Sequence, residues 1–150
     1  ENIAAIGNAR RDMRRGAAAS SLRSKLFGEG ESALDPGQVD TLDLLVEREF
    51  WRMGDLAEAL RVDPSTATRA IQRLEKLELA ERTTLPSDGR VVTVAVTPAG
   101  RARHNIITER RLKVMIKILS DFAPEDQAKL AQLLTQFVTS VDNVASTFEP

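Results

Sequence analysis

Residues 53–100 constrain the fold most, because their apolar pattern changes there from helical spacing to strand alternation. A short helical run, 53–60, is followed by the turn Arg61-Val62-Asp63 and by a second helical run that begins at Pro64. Asp before Pro is a strong helix start, because Asp can accept hydrogen bonds from free backbone N–H groups and Pro fits the first helical position. So short a connection permits only a tight, steeply crossed helix pair. The segment therefore predicts a helix-turn-helix.

The second predicted helix has two unlike faces. Its apolar positions recur at helical spacing: Ala67, Ala70, Ile71, Leu74 and Leu77. Its other face carries hydroxyl, amide and basic side chains: Ser65, Thr66, Thr68, Arg69, Gln72, Arg73 and Lys76. Small hydroxyl side chains allow the helix backbone to approach DNA closely, and Arg and Gln can hydrogen-bond to guanine and adenine edges. A solvated amphipathic helix is the alternative explanation for such a polar face.

A β-hairpin is predicted directly after these helices. Residues 80–85 predict a strand, 86–89 a turn and 90–96 a returning strand rich in Val and Thr. We expect Val92, Val94 and Val96 to face the helices. Asp88 and Arg90 lie at the tip, where a cation could contact phosphate or enter a minor groove, although Asp88 and Gly89 also suit an ordinary turn. A helix-turn-helix followed by such a wing is shaped to place one helix in a DNA major groove.

Two motifs resemble those of a known family. Asp88-Gly89-Arg90, followed by Val96-Thr97-Pro98-Ala99-Gly100, resembles the D-x-R…[LV]-T-x-x-G signature of MarR-type winged-helix regulators. Residues 64–82 resemble the recognition helix and wing start of that family. The resemblance implies a homodimer that binds double-stranded DNA at pseudopalindromic operators, usually represses, and often releases DNA when a small, often aromatic, ligand binds. It also implies that Arg90 enters the minor groove and that Asp88 orients a nearby Arg.

The chain departs from the family pattern at two positions. Many members carry Gly after the recognition helix, where a left-handed residue is convenient, but this chain has Glu78. We therefore expect a strained backbone at Glu78 or a different helix end. Many members also carry two Arg at the wing tip, whereas Gly89 here leaves Arg90 as the single Arg of that segment. This difference predicts weaker phosphate contacts and an unchanged fold.

Candidate ligand contacts follow only from the resemblance. The family's pocket lies between the dimer helices and the winged module, which makes Arg14, Trp51, Met53 and His104 conceivable lining residues. Each also has an alternative role as a core or surface residue, and for His104 a surface or interface position is the ordinary expectation.

The segments that flank the winged module predict helices and self-association. Residues 2–27 predict one long helix that ends at Gly28-Glu29-Gly30, and Asp35-Pro36 starts a helix that runs to about Glu49. Residues 50–52 predict a short third strand, and residues 98–119 and a segment that starts at Ala123-Pro124 predict two further helices. The apolar stripe of the last helix needs a partner, and a second copy supplies it most simply, with packing inside one monomer as the alternative.

The predicted fold class is therefore mainly α with a small β-hairpin wing. Residues 36–100 form the winged helix-turn-helix, and residues 1–35 and 101–150 form a helical dimerisation region of one compact domain overall.

Charge and rare residue types limit the function classes. The net charge of −1 is a mild objection to nucleic-acid binding. However, six cations lie in residues 10–25 and six in residues 101–117, so the attraction to DNA must come from where the cations are placed. The alternative is that these cations belong to solvated helix faces. The chain has no Cys and no Tyr, and His104 is its one His, which excludes disulfides, zinc fingers and His–Cys sites. We expect no enzyme activity, no cofactor and no metal.

The sequence predicts a cytoplasmic location. No segment approaches the roughly 20 apolar residues that span a bilayer, and no signal peptide is visible.

Two functional hypotheses remain. The first hypothesis is a dimeric transcriptional regulator, expected to repress, and the second is a winged-helix module for protein–protein assembly. Thr68, Arg69 and Arg73 favour the first, because an assembly surface more often carries aromatic or aliphatic side chains.

Overall fold

A computed structural model describes residues 1–149. Within this range the elements follow in the order α1 (Asn2–Arg15), α2 (Ala17–Phe27), a 3-10 turn (Gly30–Ser32), α3 (Pro36–Leu45), β1 (Trp51–Arg52), α4 (Met53–Leu60), α5 (Pro64–Lys76), β2 (Ala80–Leu85), β3 (Asp88–Val96), α6 (Pro98–Leu119) and α7 (Pro124–Thr147). The predicted fold class, mainly helical with a small wing, is confirmed. The chain divides into two compact units, Glu1–Arg110 and Arg111–Pro150. The limits at residues 36 and 100 stay a prediction.

The core of the first unit is built from the inward faces of α3, α4, α5 and α6 together with the sheet. Its fully buried apolar side chains are Val39, Leu42 and Leu45 of α3, Leu56 of α4, Ile71 and Leu74 of α5, Val94 of β3 and Ile107 of α6. Burying each of these stabilises the unit by roughly 1.5–3 kcal/mol relative to exposure. The predicted apolar stripe of α5 is confirmed, because its members are buried or half-buried. The core therefore fixes which face of α5 points to solvent.

The helix-turn-helix has the bounds that the sequence predicts. Both of its helices end in a left-handed residue that is not glycine, Arg61 with φ 55° and Glu78 with φ 59°. At the end of α5 the Leu79 N–H donates to the Leu74 carbonyl at 2.8 Å, and the Glu78 N–H donates to the Glu75 carbonyl at 2.8 Å. This is the double hydrogen-bond pattern of a Schellman helix end. The expected strained backbone at Glu78 is confirmed.

The wing is a three-stranded antiparallel sheet in the order β1-β3-β2. Trp51 lies opposite Val94, which confirms the predicted third strand, and Ala80 lies opposite Val96. The register shifts between Thr84 and Leu85, so the tip is irregular. Strand β3 begins at Asp88, two residues earlier than predicted, because Asp88 pairs with Leu85. The expectation for Val92 is wrong, since its side chain is 40% exposed, beyond the part of the sheet that the helices cover.

Two helix predictions are also wrong. The predicted helix over residues 2–27 is broken at Gly16, which has ψ 143° and separates α1 from α2. Glycine is unfavourable inside a helix, and the Arg10–Arg14 and Arg11–Arg15 spacings place like charges together. Helix α3 ends at Leu45 rather than near Glu49.

The Leu44 carbonyl explains the early end of α3. It accepts hydrogen bonds from the Trp51 indole N–H at 2.8 Å and from the Glu47 N–H at 3.0 Å. The chain therefore turns after Leu45 and enters the sheet at Trp51, a packing requirement that overrides the local helical pattern.

The second unit contains the end of α6, a short turn and α7. The Gln127 side-chain amide closes the turn by donating to the carbonyls of Leu119 and Phe122, at 3.1 and 3.0 Å. None of the described residues of α7 is buried. Its exposed large apolar side chains are Leu133, Leu134, Phe137, Val138, Val141 and Val144, with Phe148 just beyond it. Among residues 1–149, no helix combines the length and the apolar character that crossing a membrane requires.

Candidate nucleic-acid interface

The polar face of α5 is presented to solvent. Four of the predicted DNA contacts are exposed, Ser65, Arg69, Gln72 and Lys76, and three are half-buried, Thr66, Thr68 and Arg73. The N-terminal half of this face therefore offers hydroxyl and guanidinium groups to a partner, while the helix behind it is held by the core.

A short chain of hydrogen bonds orients Arg69. The Arg69 Nη2 donates to the Thr66 hydroxyl at 3.3 Å, and that hydroxyl donates to Asp63 Oδ2 at 3.1 Å. Asp63 is the residue before α5, as predicted, but its carboxylate binds the Thr66 hydroxyl and makes no side-chain cap to the backbone N–H groups of the helix. The guanidinium of Arg69 is therefore directed toward the N-terminal end of α5, the end that a recognition helix presents to base edges.

Arg73 has different partners from the other predicted readers. Its Nη2 donates to the Glu31 carbonyl and, at 3.4 Å, to the Ala33 carbonyl. Both carbonyls belong to the connection between α2 and α3, which is about 40 residues away in sequence. The local sequence pattern carries no sign of this contact. Arg73 is thus engaged with the protein itself.

The wing tip carries a highly exposed cation, Arg90. The Arg90 side chain is 94% exposed, and its Nε lies 3.3 Å from Asp88 Oδ1. The same carboxylate oxygen accepts the Arg90 backbone N–H at 3.0 Å. Asp88 therefore contacts the backbone N–H and the Nε of Arg90, while nearly all of the Arg90 side chain stays accessible to solvent.

An ion pair joins the wing to α5. Arg82 of β2 donates from Nε to Glu75 Oε1 at 3.0 Å and from Nη2 to Glu75 Oε2 at 2.9 Å, a two-point contact. The Arg82 backbone N–H also donates to Glu75 Oε1, at 3.2 Å. The sequence does not indicate this contact, because pairing between a helix and a strand follows no fixed spacing. The contact fixes the start of the wing against the polar helix.

The Thr97-Pro98-Ala99-Gly100 segment joins the wing to α6 through backbone contacts. The Thr97 hydroxyl donates to the Glu78 carbonyl at 2.7 Å and accepts the Gly100 N–H at 3.0 Å. The Thr97 N–H donates to the Leu79 carbonyl at 3.1 Å. A Cβ on Gly100 would lie 2.0 Å from that carbonyl oxygen, so only glycine fits there. The T-x-x-G motif thus has a structural cause, which is the close contact of α6 with the end of α5.

The four candidate ligand contacts lie in different environments. Trp51 is buried beneath the Arg48 guanidinium, whose carbon is 3.7 Å from the ring centroid, and Met53 packs against the core. His104 Nε2 lies 2.9 Å from Asp43 Oδ1, and Arg14 is exposed on α1.

Two cavities within residues 1–149 give these four residues little support as a common site. A cavity of about 370 Å³ between α3 and α5 is lined by none of them. A second cavity, of about 340 Å³, is lined by Trp51 alone of the four.

Comparison with known proteins identifies a similar family. The MarR family model matches residues 34–92, from two residues before α3 to the middle of β3. Over these residues the chain is similar to the MarR family. The curated relatives that it matches are HTH-type transcriptional regulators rather than enzymes, in line with the predicted function class.

Three related proteins illustrate the similarity. The HTH-type transcriptional repressor MdtR of Bacillus subtilis is 24% identical over 112 residues, which cover 75% of this chain and 72% of MdtR. Streptococcus pneumoniae FabT, solved in complex with DNA, is 19% identical with a TM-score of 0.80, covering 95% of this chain and 99% of FabT.

The third is Bordetella bronchiseptica BpsR, whose DNA binding is regulated by 6-hydroxynicotinic acid. It is 23% identical with a TM-score of 0.68, covering 88% of this chain and 91% of BpsR. The two solved structures establish a common fold.

Proposed function

We propose that this protein is a homodimeric repressor of the MarR type that binds a pseudopalindromic operator through α5 and the wing. The observation that carries the proposal is the exposed polar face of α5, with Arg69 oriented by Thr66, next to a wing whose Arg90 extends into solvent. A helix of this kind fits the major groove, and an extended Arg at a wing tip suits the adjacent minor groove or phosphates. FabT, which shares the fold, is solved in complex with DNA.

Each predicted contact except Arg73, which is engaged with the protein itself, has a distinct task in this proposal. Ser65, Thr66 and Thr68 bring the start of α5 close to the DNA, and Arg69 and Gln72 hydrogen-bond to base edges. Lys76 and Arg90 contact phosphate or the minor groove, and Asp88 positions Arg90. Because much of the affinity would come from cations at phosphates, we expect it to fall steeply as the salt concentration rises.

The apolar surface of the second unit supports the proposed dimer. Residues 111–149 expose a continuous set of large side chains on α7, and Leu112, Met115, Ile116 and Ile118 on α6, which a monomer would leave in water. An exposed apolar surface of this kind is typical of a protein–protein interface. A two-fold dimer would place two α5 helices at half-sites about one DNA turn apart, roughly 34–36 Å.

Repression, its relief by a ligand and the cellular location are inferred from relatives. MdtR is a repressor, and the DNA binding of BpsR is regulated by 6-hydroxynicotinic acid. We infer that this chain represses by occupying its operator and that a small aromatic acid weakens its DNA binding. The regulator would act where the chromosome lies, which is the cytoplasm in bacteria such as these relatives.

In vitro selection from randomised 30-bp duplexes tests the DNA proposal. We expect the protein to enrich a two-fold symmetric motif. Arg90→Ala should weaken binding to every selected duplex about equally, whereas Arg69→Ala should also relax the preference at one base pair of each half-site, by about 1–3 kcal/mol. Lys129→Ala on α7 is the matched control, because it removes an exposed cation outside the proposed DNA interface.

Three results would contradict the proposal. Failure to enrich any motif would favour the protein-assembly alternative, and enrichment of an asymmetric site would contradict the two-fold arrangement. A monomeric mass for the wild-type protein in sedimentation equilibrium would exclude the dimer. Val138→Glu, which places a charge on the exposed apolar face of α7, should shift the mass toward that of one chain.

The ligand is tested separately on the selected duplex. Titration with salicylate, benzoate and 6-hydroxynicotinate should release DNA in at least one case. If none of them changes the affinity, the ligand class is wrong while the DNA proposal stands.

A further inference from the structure

Two arginines from different helices bind the same stretch of backbone. We call residues 27–33, which connect α2 to the segment before α3, the bridge. Arg73 of α5 donates to the bridge carbonyls of Glu31 and Ala33, and Arg103 of α6 donates to those of Phe27 and Ser32, at 2.7 and 3.0 Å. Four carbonyls of a seven-residue segment are thus held by two guanidinium groups. The bridge lies between the polar helix and α6.

The local sequence of the bridge fits this arrangement. Gly28 has φ 92°, a conformation that L side chains rarely adopt, and a Cβ there would lie 2.9 Å from Arg103 Nη2. The Phe27 carbonyl also accepts the Leu34 N–H at 3.2 Å, which closes the segment into a loop. Leu34 itself is buried in the core. Gly28 therefore provides both the turn and the space for the Arg103 side chain.

The environment of Arg103 is that of a structural cation. Burial and the nearby charge of Arg110 lower the pKa of Arg103 from its ordinary value, and the guanidinium remains protonated because an arginine is not deprotonated in proteins. The planar guanidinium of Arg103 donates its hydrogen bonds to two neutral carbonyl oxygens, which are acceptors at fixed positions. Such a contact fixes geometry, and it makes a guanidinium unavailable to a partner outside the protein.

We propose that Arg73 is a positioning residue of the DNA-reading helix and that Arg73 and Arg103 together clamp the bridge. The clamp fixes the rotation of α5 about its axis relative to the start of α6. Its effect on DNA is indirect, because it sets how Arg69 and Gln72 are presented. This proposal rests on the proposed DNA-binding function and assigns one of the polar residues of α5 a role other than base contact.

The mode of action of Arg73 can be read from binding curves. On the operator selected with wild-type protein, we expect Arg73→Ala to lower the affinity about tenfold, comparable to one lost charge-assisted hydrogen bond. The loss should be the same for the operator and for its single-base-pair variants, and the dependence of log Kd on log salt should keep its slope. A direct phosphate contact would instead reduce that slope by about 0.9, and a base contact would relax preference at one position. Arg73→Lys should restore part of the loss, and Arg69→Ala serves as the base-contact comparison.

Hydrogen exchange gives a readout that does not involve DNA. The Leu34 amide, protected by the Phe27 carbonyl, should exchange faster in Arg73→Ala and in Arg103→Ala, and by a similar factor in each. The conservative variants Arg73→Lys and Arg103→Lys should give smaller changes, so the comparison remains informative if an alanine variant folds poorly. Circular dichroism of each variant monitors folding.

The outcomes separate the two proposals. If the wild-type protein selects no DNA motif, the proposed function fails, and the exchange experiment still decides whether the clamp exists. If the wild-type protein selects a motif but Arg73→Ala relaxes its preference or reduces its salt slope, the positioning role is wrong. Unchanged affinity in Arg73→Ala, or unchanged exchange at Leu34 in both alanine variants, would likewise overturn it.

Discussion

Replacing Glu78 with glycine tests the energetic consequence of the helix end at α5. Glu78 has φ 59°, where the Cβ of an L-residue crowds the neighbouring backbone. Its side chain is exposed, and its main-chain hydrogen bonds, to the Glu75 carbonyl and from the Thr97 hydroxyl, do not depend on the side chain. Glu78→Gly therefore removes the strain and leaves the surrounding contacts in place.

The expected gain is the difference between two opposing terms. A left-handed conformation costs an L-residue roughly 1–2 kcal/mol. Glycine gives back about 0.4–1 kcal/mol, because it raises the conformational entropy of the unfolded chain. The net increase in the free energy of unfolding is about 0.5–1 kcal/mol. For a chain of this length that corresponds to a rise in Tm of about 1–4 °C.

Glu78→Ala is the matched control for this experiment. It removes the same carboxylate, which lies unfavourably near the negative end of the α5 dipole, and keeps a Cβ in the left-handed region. The difference between the Gly and Ala variants in urea unfolding isolates the backbone term. All variants must be compared at one protein concentration, because self-association makes stability depend on it.

If Glu78→Gly and Glu78→Ala have the same free energy of unfolding, the left-handed backbone carries no cost at this position. Arg61→Gly extends the test, because Arg61 ends α4 with φ 55° and the same hydrogen-bond pattern. It should show a gain of similar size.

Three further predictions follow from single contacts. Gly89→Arg should raise the affinity for every operator variant and steepen the dependence of log Kd on log salt by about 0.9, because a second cation would join Arg90. A Cβ at Gly89 meets open space, so the new side chain fits. Gly89→Ala is the control and should change neither the affinity nor the salt dependence. Trp51→Phe should lower the free energy of unfolding in urea by about 1–3 kcal/mol, because the Leu44 carbonyl loses its indole donor. Thr97→Val should lower it by about 2 kcal/mol through loss of both hydroxyl contacts, whereas Thr84→Val on the exposed strand should change it by less than about 0.5 kcal/mol.

Each of these predictions has a contrary outcome. Equal salt slopes for Gly89→Arg and wild type would place the wing tip away from phosphate. A fully stable Trp51→Phe would mean that the Leu44 carbonyl finds another donor. Equal losses of unfolding free energy for Thr97→Val and Thr84→Val would show that the Thr97 hydroxyl contributes no more to stability than an exposed strand hydroxyl.

The winged module was predictable because its signals are local. Asp63-Pro64 marks the start of α5, the apolar stripe marks its buried face, and the Val-rich run marks β3. Each signal depends on residues within one turn or one strand, so the bounds of α4, α5 and β2 follow from sequence. The strain at Glu78 was also predictable, because a helix end of this type prefers glycine.

Two of the failures have long-range causes, and the break at Gly16 has a local one. The end of α3 is set by the indole of Trp51, and the position of Arg73 is set by carbonyls some 40 residues away. The break at Gly16 lies in a charged segment, where a periodic pattern alone did not show that the helix is interrupted. Side chains on the polar face of α5 look alike in sequence, and only packing against the bridge separates Arg73 from Arg69.

Gly100 has a consequence for the stiffness of the molecule. Where two side chains meet, a small displacement can be absorbed by a change of rotamer, but at Gly100 the backbone of α6 lies directly against the Leu79 carbonyl. A backbone has no rotamers, and the hydrogen bonds of Thr97 fasten both sides of this contact. A movement of a few tenths of an ångström in the first turn of α6 must therefore appear, almost undiminished, at the junction of α5 and β2.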